Sequence, residues 1–272
     1  MENTLIKPED VTVIIPHLGG TNESEYALEE CLKSLEETFA GKVLVALNGG
    51  KCFKHAPEAI IIPDQGQCKA VNAAVAIVNT PWIFVTNDDM IYPPGWFEEL
   101  TPNETFPCIS PKLVEPRSGA PTFLTYFCGG AGGDFDKQKF LDFVKSYSML
   151  ESFKNTGFNL PFLIRKDLWD TIGGYDINYD PWGSNSDSDL EYKIRLAGVQ
   201  PIQMQTCLVY HFSQTSGTFE PRNQSYWQKN FAYFEEKWGF PRTDDGIWEA
   251  TFTIPDEGRK FRPEWEGKYV KY

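Results

Sequence analysis

Residues 68–89 read CKAVNAAVAIVNTPWIFVTNDD and combine a helix, a strand and a polar strand end. Small and apolar residues over Cys68–Val78 predict a helix, and the β-branched and aromatic run Trp82–Thr86 predicts a buried strand. Three polar residues, Asn87, Asp88 and Asp89, follow that strand directly. A helix leading into a buried strand is part of the pattern from which parallel sheets are built.

The residues before this stretch continue the pattern. Val11–Ile15 predicts a strand ended by Pro16, and residues 25–39 carry apolar positions at helical spacing. Further strands are predicted at Val43–Leu47 and Ala59–Ile62. The alternation predicts an α/β fold with a Rossmann-like, mainly parallel central sheet flanked by helices. Ligands bind beyond the carboxyl ends of such strands, so the loops there are the first candidates for chemistry.

The second half of the chain is less regular. Glycine-rich residues 117–136 predict a mobile loop or short strands, without the lysine-containing pattern of a phosphate-binding loop. The elements predicted after it are helices at 140–153, 190–197 and 226–238 and strands at 162–165 and 202–211. No repeat or linker divides residues 1–240, so we expect a single domain there. Aromatic residues in 241–272 predict an extension that packs on the body.

The composition narrows the possible functions. Of 272 residues 41% are hydrophobic, which suits a large buried core. The 25 basic and 38 acidic residues give a net charge of −13, which disfavours nucleic acid and anionic lipid as partners. A nucleotide bound to so acidic a chain needs a local counter-charge, and a metal ion is suited to that role.

The cysteines, the N-terminal sequence and the apolar stretches indicate the cellular compartment to expect. Six cysteines occur without a C-x-x-C motif, which predicts buried, reduced thiols in a cytoplasmic protein. The polar start MENTLIKPED does not resemble a signal peptide. Polar residues and a proline interrupt the most apolar long stretch, 70–85, so we expect no membrane span.

The segment Asn87-Asp88-Asp89 is the sharpest candidate site. Adjacent carboxylates at a strand end repel each other, and binding of Mg²⁺ or Mn²⁺ is a common reason to keep them there. An Asx-type turn that caps the strand is the alternative. His211, at the end of the strand 202–211, becomes a candidate metal ligand only beside these aspartates, and is otherwise an ordinary strand-end histidine.

A second candidate is Ser186-Asp187-Ser188-Asp189, which precedes the helix predicted at 190–197. Asp189 suits the role of N-cap, because a carboxylate there accepts backbone N–H bonds. Asp187 is expected outside the helix, where it can face a cleft and act as a base. Capping of the helix by either residue is the alternative.

In this order the segments resemble a family-2 glycosyltransferase with a GT-A fold. The likeness spans about residues 11–240, with a nucleotide-sugar half at about 11–115 and an irregular acceptor half at about 116–240. The matching segments are VTVIIP, VLVALNGG, GQCKAVNAAVAIVNTPWIFVTNDD, FLIRKDLWDTIGGYDINYDPWGSNSDSDLEYKIRLAG, YHF and FEEKWG.

The resemblance implies roles for individual residues. Asn87, Asp88 and Asp89 match the DxD segment, with Asp89 and His211 as metal ligands and Asp88 facing the donor or sharing the metal. Asp187 matches the catalytic base, and Asp189 is the second choice. The expected donor-binding residues are Pro16, His17, Asn48, Gly49, Gly66, Lys69 and Asn72, together with Asn87 and Asp88. Tyr179, Trp182 and Asn159 are acceptor candidates.

The chain departs from the family pattern at several positions. Leu47 stands where many relatives have an aspartate that reads the nucleobase, and Gln67 where a lysine is frequent. Asn87 replaces the first acid of the metal motif, and Ser186 replaces the acid before the base. These changes bear on which nucleobase is bound and leave metal-dependent transfer intact.

The implied activity is that of a hexosyltransferase-like enzyme in glycan biosynthesis. It would move a sugar from a UDP- or GDP-type donor to an acceptor hydroxyl with inversion, using Mn²⁺ or Mg²⁺. One alternative is a non-catalytic sugar-binding or assembly module, as Asn87, Ser186 and Leu47 would suggest. The other, a sugar-1-phosphate nucleotidyltransferase, is disfavoured because the loop HLGGTNES carries no Lys or Arg.

Overall fold

A computed structural model describes residues 5–49, 59–63, 66–101, 106–117, 123–147, 154–213, 215 and 221–238. The predicted C-terminal extension, 241–272, lies outside these residues. The helices are α1 (Asn22–Thr38), α2 (Gln67–Ile77), α3 (Trp96–Leu100), α4 (Lys137–Tyr147), α5 (Lys166–Ile172), α6 (Ser186–Leu196) and α7 (Gln224–Trp238). Among the described residues, no helix has the length and apolar character needed to span a membrane.

One mixed sheet joins the strands of the described part of the chain. The strands are β1 (Val11–His17), β2 (Lys42–Asn48), β3 (Ala59–Ile62), β4 (Trp82–Val85), β5 (Met90–Ile91), β6 (Cys108–Glu115), β7 (Leu124–Thr125), β8 (Lys154–Thr156), β9 (Phe162–Arg165) and β10 (Ile202–His211). The order is β3-β2-β1-β4-β9-β6-β10-β5, with β7 beside β6 and β8 beside β10. The first four strands are parallel, and β6 and β10 are parallel to each other.

The antiparallel strand β9 fixes how the two halves align. It pairs with β4 on one side and with β6 on the other, both antiparallel. The strands β1, β4, β6 and β10 therefore run the same way, and their carboxyl ends share one edge of the sheet. Five of the cysteines, at 31, 68, 108, 128 and 207, are buried free thiols.

The sheet lies between two apolar layers. Leu28 and Leu35 of α1 pack with Trp96 of α3 on one face. Val71 of α2 and Leu190 of α6 lie in the cluster on the other face, together with residues of α5 and α7. Because β1 and β4 are covered on both faces, they are almost wholly apolar, as the sequence of each strand indicates.

Several boundaries differ from the prediction. β1 continues through Pro16 to His17, because β4 pairs with β1 only as far as Ile14 and the missing N–H falls where one neighbour is absent. Helix α6 begins at Ser186, not at Leu190. Within the glycine-rich segment, the described residues contain the short strand Leu124–Thr125, one of the two alternatives that the sequence predicts.

Candidate active site at the carboxyl edge of the sheet

The end of β1 meets the residues that follow β4. His17 Nδ1 lies 2.6 Å from Asp88 Oδ2, and His17 is only 1% exposed. Burial alone would lower the pKa of His17, but the Asp88 carboxylate outweighs it and raises that pKa above its usual value. Burial raises the pKa of Asp88, which His17 partly offsets. The pair holds Asp88 in a fixed orientation.

A second pair forms where β10 ends. His211 Nε2 lies 3.3 Å from Asp89 Oδ1, and His211 Nδ1 lies 2.6 Å from Glu115 Oε1 at the end of β6. Burial lowers the pKa of His211, but the two carboxylates outweigh it and raise the pKa to about 10. Thr215 Oγ1 donates to the other oxygen of Asp89 at 2.8 Å.

These groups fit a divalent cation. Asp89 Oδ1 is buried and accepts no hydrogen bond among the described residues, although it faces His211 Nε2. An oxygen and a nitrogen aimed at one another at 3.3 Å suit a shared ion, and a mixed N/O pair favours Mn²⁺. Glu115 would fix the imidazole from its far side, as partners of metal-bound histidines do.

The described residues provide no cluster of three such side chains around one point. An ion held by Asp89 and His211 would therefore take its other ligands from water and from phosphate oxygens, as Mg²⁺ commonly does. Asp88, the further candidate ligand, is engaged by His17.

The end of β2 is organised by a turn. Asn48 Oδ1 accepts a hydrogen bond from the Gly66 amide at 2.5 Å, and the Gly49 amide donates to the Ile62 carbonyl at 3.0 Å. Gly49 has a φ of +97°, which a residue with a side chain rarely adopts. Leu47, the residue before this turn, is 2% exposed and packs in the core.

Asn72 does not face the donor, which corrects the expectation from the resemblance. It is 1% exposed, and its side-chain amide pairs with both backbone groups of Tyr175, at 2.8 and 2.9 Å. A side-chain amide that makes two hydrogen bonds to backbone groups has little capacity left to bind a ligand, which is why Asn72 does not fit the predicted role. Asn72 instead ties α2 to the segment before α6.

The start of α2 is capped by a residue that sequence reasoning missed. Asp180 accepts hydrogen bonds from the backbone amides of Cys68 at 2.9 Å and of Lys69 at 3.2 Å. A Cβ at Gly66 would lie 2.4 Å from Asp180 Oδ2, so a side chain there would displace the capping carboxylate. The Lys69 side chain is half-buried beside this cap.

Asp187 lies in the first turn of α6, not before the helix as predicted. The N-cap is Asn185, in a left-handed conformation with φ +69°, so the polar residues after it already have helical geometry. Asp187 is half-buried, and its Oδ1 accepts a hydrogen bond from Tyr175 Oη at 2.8 Å. Asp187 remains our candidate for the base.

Asp189 is neither the N-cap nor exposed enough for catalysis. It is 0% exposed and contacts Lys237 Nζ at 2.7 Å and Trp238 Nε1 at 2.8 Å. Both partners lie on α7, so Asp189 joins α6 to α7. The prediction was wrong because a cap was inferred from local spacing, while the partners come from a distant helix.

The acceptor candidates differ in burial. Tyr179 is 0% exposed and its hydroxyl lies 3.3 Å from Asp189 Oδ1, so it is a core residue and the interpretation as a stacking residue was wrong. Trp182 is half-buried near the turn before α6. Asn159 is 3% exposed and accepts a hydrogen bond from Gln203 at 2.5 Å.

Neither a protein-family model nor a curated protein sequence matches this chain. Among solved structures, GalNAc-T7 with UDP, GalNAc and Mn²⁺ matches over 86% of this chain, with a TM-score of 0.59 and 13% identity. This chain covers 49% of that structure, about half its length. S. aureus TarS 1–349 matches over 88% of this chain and 74% of its own, with a TM-score of 0.51 and 13% identity.

Both matched proteins are GT-A-type glycosyltransferases. This chain has the GT-A fold. The architecture predicted from the alternation of strands and helices is thereby confirmed, as is the resemblance at the level of the fold. In this fold the edge that carries Asp88, Asp89, His17 and His211 is the carboxyl edge of the parallel strands, where ligands bind in α/β sheets.

Proposed function

We propose that the protein transfers a sugar from a UDP- or GDP-type donor to an acceptor hydroxyl with inversion. The observation that supports this best is that two consecutive aspartates, at one edge of a GT-A sheet, each face a strand-end histidine. Those contacts are His17–Asp88 at 2.6 Å and His211–Asp89 at 3.3 Å. The match to GalNAc-T7 with UDP and Mn²⁺ is consistent with such a donor and metal.

Asp89 and His211 would hold Mn²⁺ or Mg²⁺, which when bound supplies positive charge against the leaving diphosphate. The other residues at this edge act on the donor. His17 keeps Asp88 oriented toward the donor ribose or sugar. The hydrogen bond between Asn48 and the Gly66 amide would hold the end of β2 and the start of α2 in place beside the nucleotide.

Asp187 is the proposed general base. It would take the proton from the acceptor hydroxyl as that oxygen attacks the anomeric carbon from the face opposite the diphosphate. Ring contacts and strand pairing connect Asp187 to the end of β4, which precedes Asp88 and Asp89. The ring of Tyr175, which bonds Asp187, lies 6.5 Å from the ring of Phe162, and Phe162 pairs with Val85 at the end of β4.

The first experiment measures hydrolysis of a panel of UDP- and GDP-sugars with Mn²⁺, with Mg²⁺ and with EDTA, because inverting transferases often pass donor sugar to water. We expect metal-dependent release of nucleoside diphosphate from at least one donor. If no donor is hydrolysed or transferred although a nucleotide sugar raises the melting temperature, the protein is a sugar-binding module without catalysis.

Substitution of the base tests the mechanism. Asp187→Asn should keep the fold and lower turnover by about 10²-fold or more, the lower range for a lost general base. Asp189→Asn should instead lower the melting temperature, because it removes a charge beside Lys237. Asp170→Asn, an exposed carboxylate on α5, is the matched control. An inactive Asp189→Asn beside an active Asp187→Asn would show that the two roles are reversed.

A further inference from the structure

A chain of side-chain amides crosses β6 and β10 on the face that carries α6. Lys112 Nζ donates to Gln205 Oε1 at 2.9 Å, and Gln205 Nε2 donates to Gln203 Oε1 at 2.7 Å. Gln203 Nε2 then donates to Asn159 Oδ1 at 2.5 Å. Asn159 also rests on β6, since its backbone amide donates to Ser110 Oγ at 3.2 Å. Ser110 lies opposite Gln203 in the strand register, so the five residues form one compact polar patch.

The lysine fixes the direction of this chain. An ammonium group only donates, so Gln205 must turn its oxygen toward Lys112 and its nitrogen toward Gln203. Gln203 in turn accepts through its oxygen and donates through its nitrogen to Asn159 Oδ1. The side-chain nitrogen of Asn159 therefore lies at the end of the chain of hydrogen bonds. Asn159 Nδ2 is buried and has no hydrogen-bond partner among the described residues.

The patch therefore holds a surplus of donors and no negative charge. Within the described residues, no carboxylate lies within 4.0 Å of the Lys112 ammonium. Among the same residues, its hydrogen bond to Gln205 uses one of its three N–H groups. Burial lowers the pKa of Lys112, as expected for a cation without a counter-charge. An unsatisfied buried donor and an uncompensated lysine are both costly, so a ligand that satisfies them would bind favourably.

A row of aromatic rings connects the patch to the proposed base. The ring of Phe158, next to Asn159, lies 4.8 Å from the ring of Phe162 in a tilted arrangement. Phe162 lies 6.5 Å from the ring of Tyr175, whose hydroxyl bonds Asp187. Lys112 and Gln205 are half-buried, so the patch opens at that end, whereas Asn159 and Gln203 are covered.

We propose that this patch binds an anionic oxygen group, a phosphate or carboxylate, carried by the acceptor. The residues of the patch are Ser110, Lys112, Asn159, Gln203 and Gln205. The role as an acceptor subsite rests on the proposed glycosyl transfer. The chemistry of the group follows from the donors alone: Lys112 supplies charge and Asn159 Nδ2 supplies a directed N–H.

Nuclear magnetic resonance of the side-chain amides tests the site without turnover. Glycerol 3-phosphate, inorganic phosphate and glycerol are titrated separately, in EDTA, so that no metal-assisted phosphate binding occurs at Asp89 and His211. We expect saturable shifts of the Asn159 amide with glycerol 3-phosphate, weaker binding of inorganic phosphate and no response to glycerol.

Two variants and one control decide the assignment. Lys112→Gln should weaken binding of glycerol 3-phosphate about tenfold or more, the loss expected for a hydrogen bond to a charged group. Asn159→Asp keeps the bond from Gln203 but replaces the donor by an oxygen, so it should also lose binding. Lys33→Gln removes the same charge from an exposed ion pair on α1 and should bind as the wild type does.

Three outcomes overturn the proposal. If Lys112→Gln binds like the wild type, or if no anion shifts the Asn159 amide, the patch holds only a buried water. If inorganic phosphate binds as well as the ester, the patch recognises a free ion and not the acceptor. Failure of the proposed function shows separately, as absence of donor hydrolysis by the wild type with Mn²⁺.

Discussion

Tyr175 and Tyr179 each donate a phenolic hydrogen bond to an aspartate in the first turn of α6, yet the two pairs differ in surroundings. Tyr175 bonds the half-buried Asp187 at 2.8 Å, whereas Tyr179 bonds the fully buried Asp189 at 3.3 Å. Burial raises the pKa of Tyr175 well above its usual value, so its hydroxyl keeps its proton. Asn72 holds the Tyr175 backbone from α2. Tyr175 is therefore a positioning residue for the proposed base.

Tyr175→Phe should move the acidic limb of the rate profile to higher pH. The phenol donates to the ionised carboxylate and so favours it, and without that hydrogen bond the carboxylate is protonated more readily. We also expect turnover to fall about tenfold, because the carboxylate is less well oriented. The measurement is donor hydrolysis or transfer as a function of pH.

Tyr179→Phe is the matched control, since it removes the same hydroxyl from the neighbouring pair. It should lower the melting temperature and leave the pH profile where it is. If both variants shift the profile equally, or neither does, Tyr175 has a structural role only.

Some of the candidate site residues can be predicted from the sequence, and others cannot. Asp88, Asp89 and His211 can be predicted because each is a polar residue at the end of an apolar run. Glu115 also ends such a run, so the same rule could have found it, although its partner His211 is 96 residues away. Tyr175 and Asp180 carry no such signal, because their roles depend on side chains and amides contributed by other elements.

Helix α7 is joined to α6 and to the segment before α6 by buried charges. Lys237 is 1% exposed and its ammonium lies 2.8 Å from Asp176 and 2.7 Å from Asp189. Asn230 of α7 donates to the Tyr179 carbonyl at 2.7 Å. Since Asp189 lies two residues after Asp187, α7 supports the turn of α6 that carries the proposed base.

Lys237→Met should lower the free energy of unfolding by about 3–5 kcal/mol. Removing the cation of a buried ion pair is strongly destabilising, and here two carboxylates, Asp176 and Asp189, lose the same cation. Asp189 keeps only the longer contact with Lys193, at 3.6 Å. Urea denaturation measures the loss. Lys33→Met on α1, whose ammonium is exposed, is the control and should change stability by at most about 1 kcal/mol. A Lys237→Met protein as stable as the control would contradict the role given to α7.

Element boundaries show where periodicity stops being informative. Strands β3, β9 and β10 lie where the sequence predicts them, because β-branched and apolar runs end in clear polar or proline signals. The start of α6 was missed by four residues, since Ser186–Asp189 is a polar turn that is buried. Its burial depends on charged partners from α7, which no pattern within the helix reveals.

At the scale of the whole molecule, the strand order brings the two aspartates and their histidines to one edge. The parallel arrangement of β1, β2, β3 and β4 follows from the alternation of elements and was predictable. The insertion of antiparallel β9 between β4 and β6 was not, because local sequence does not specify which strands become neighbours. That insertion places β10, and hence His211, on the same edge as Asp89.

The net charge of −13 then sets how a nucleotide can bind. A diphosphate approaching an acidic protein beside two aspartates is repelled unless a cation lies between them. UDP and GDP should therefore bind at least about tenfold more weakly in EDTA than in Mn²⁺, a difference of only ~1.4 kcal/mol. Calorimetry of both nucleotides in both conditions measures this, and equal affinities would contradict it.

Asp89→Asn separates repulsion from metal binding. The variant removes one negative charge from the edge, so UDP in EDTA should bind it as well as, or better than, the wild type. It also removes an anionic ligand, so the gain in affinity on adding Mn²⁺ should shrink by about tenfold or more. Asp170→Asn carries the same charge change away from the edge and should keep the full gain. If Asp89→Asn kept the full gain as well, the ion would be bound elsewhere and the edge would owe its nucleotide affinity to another group.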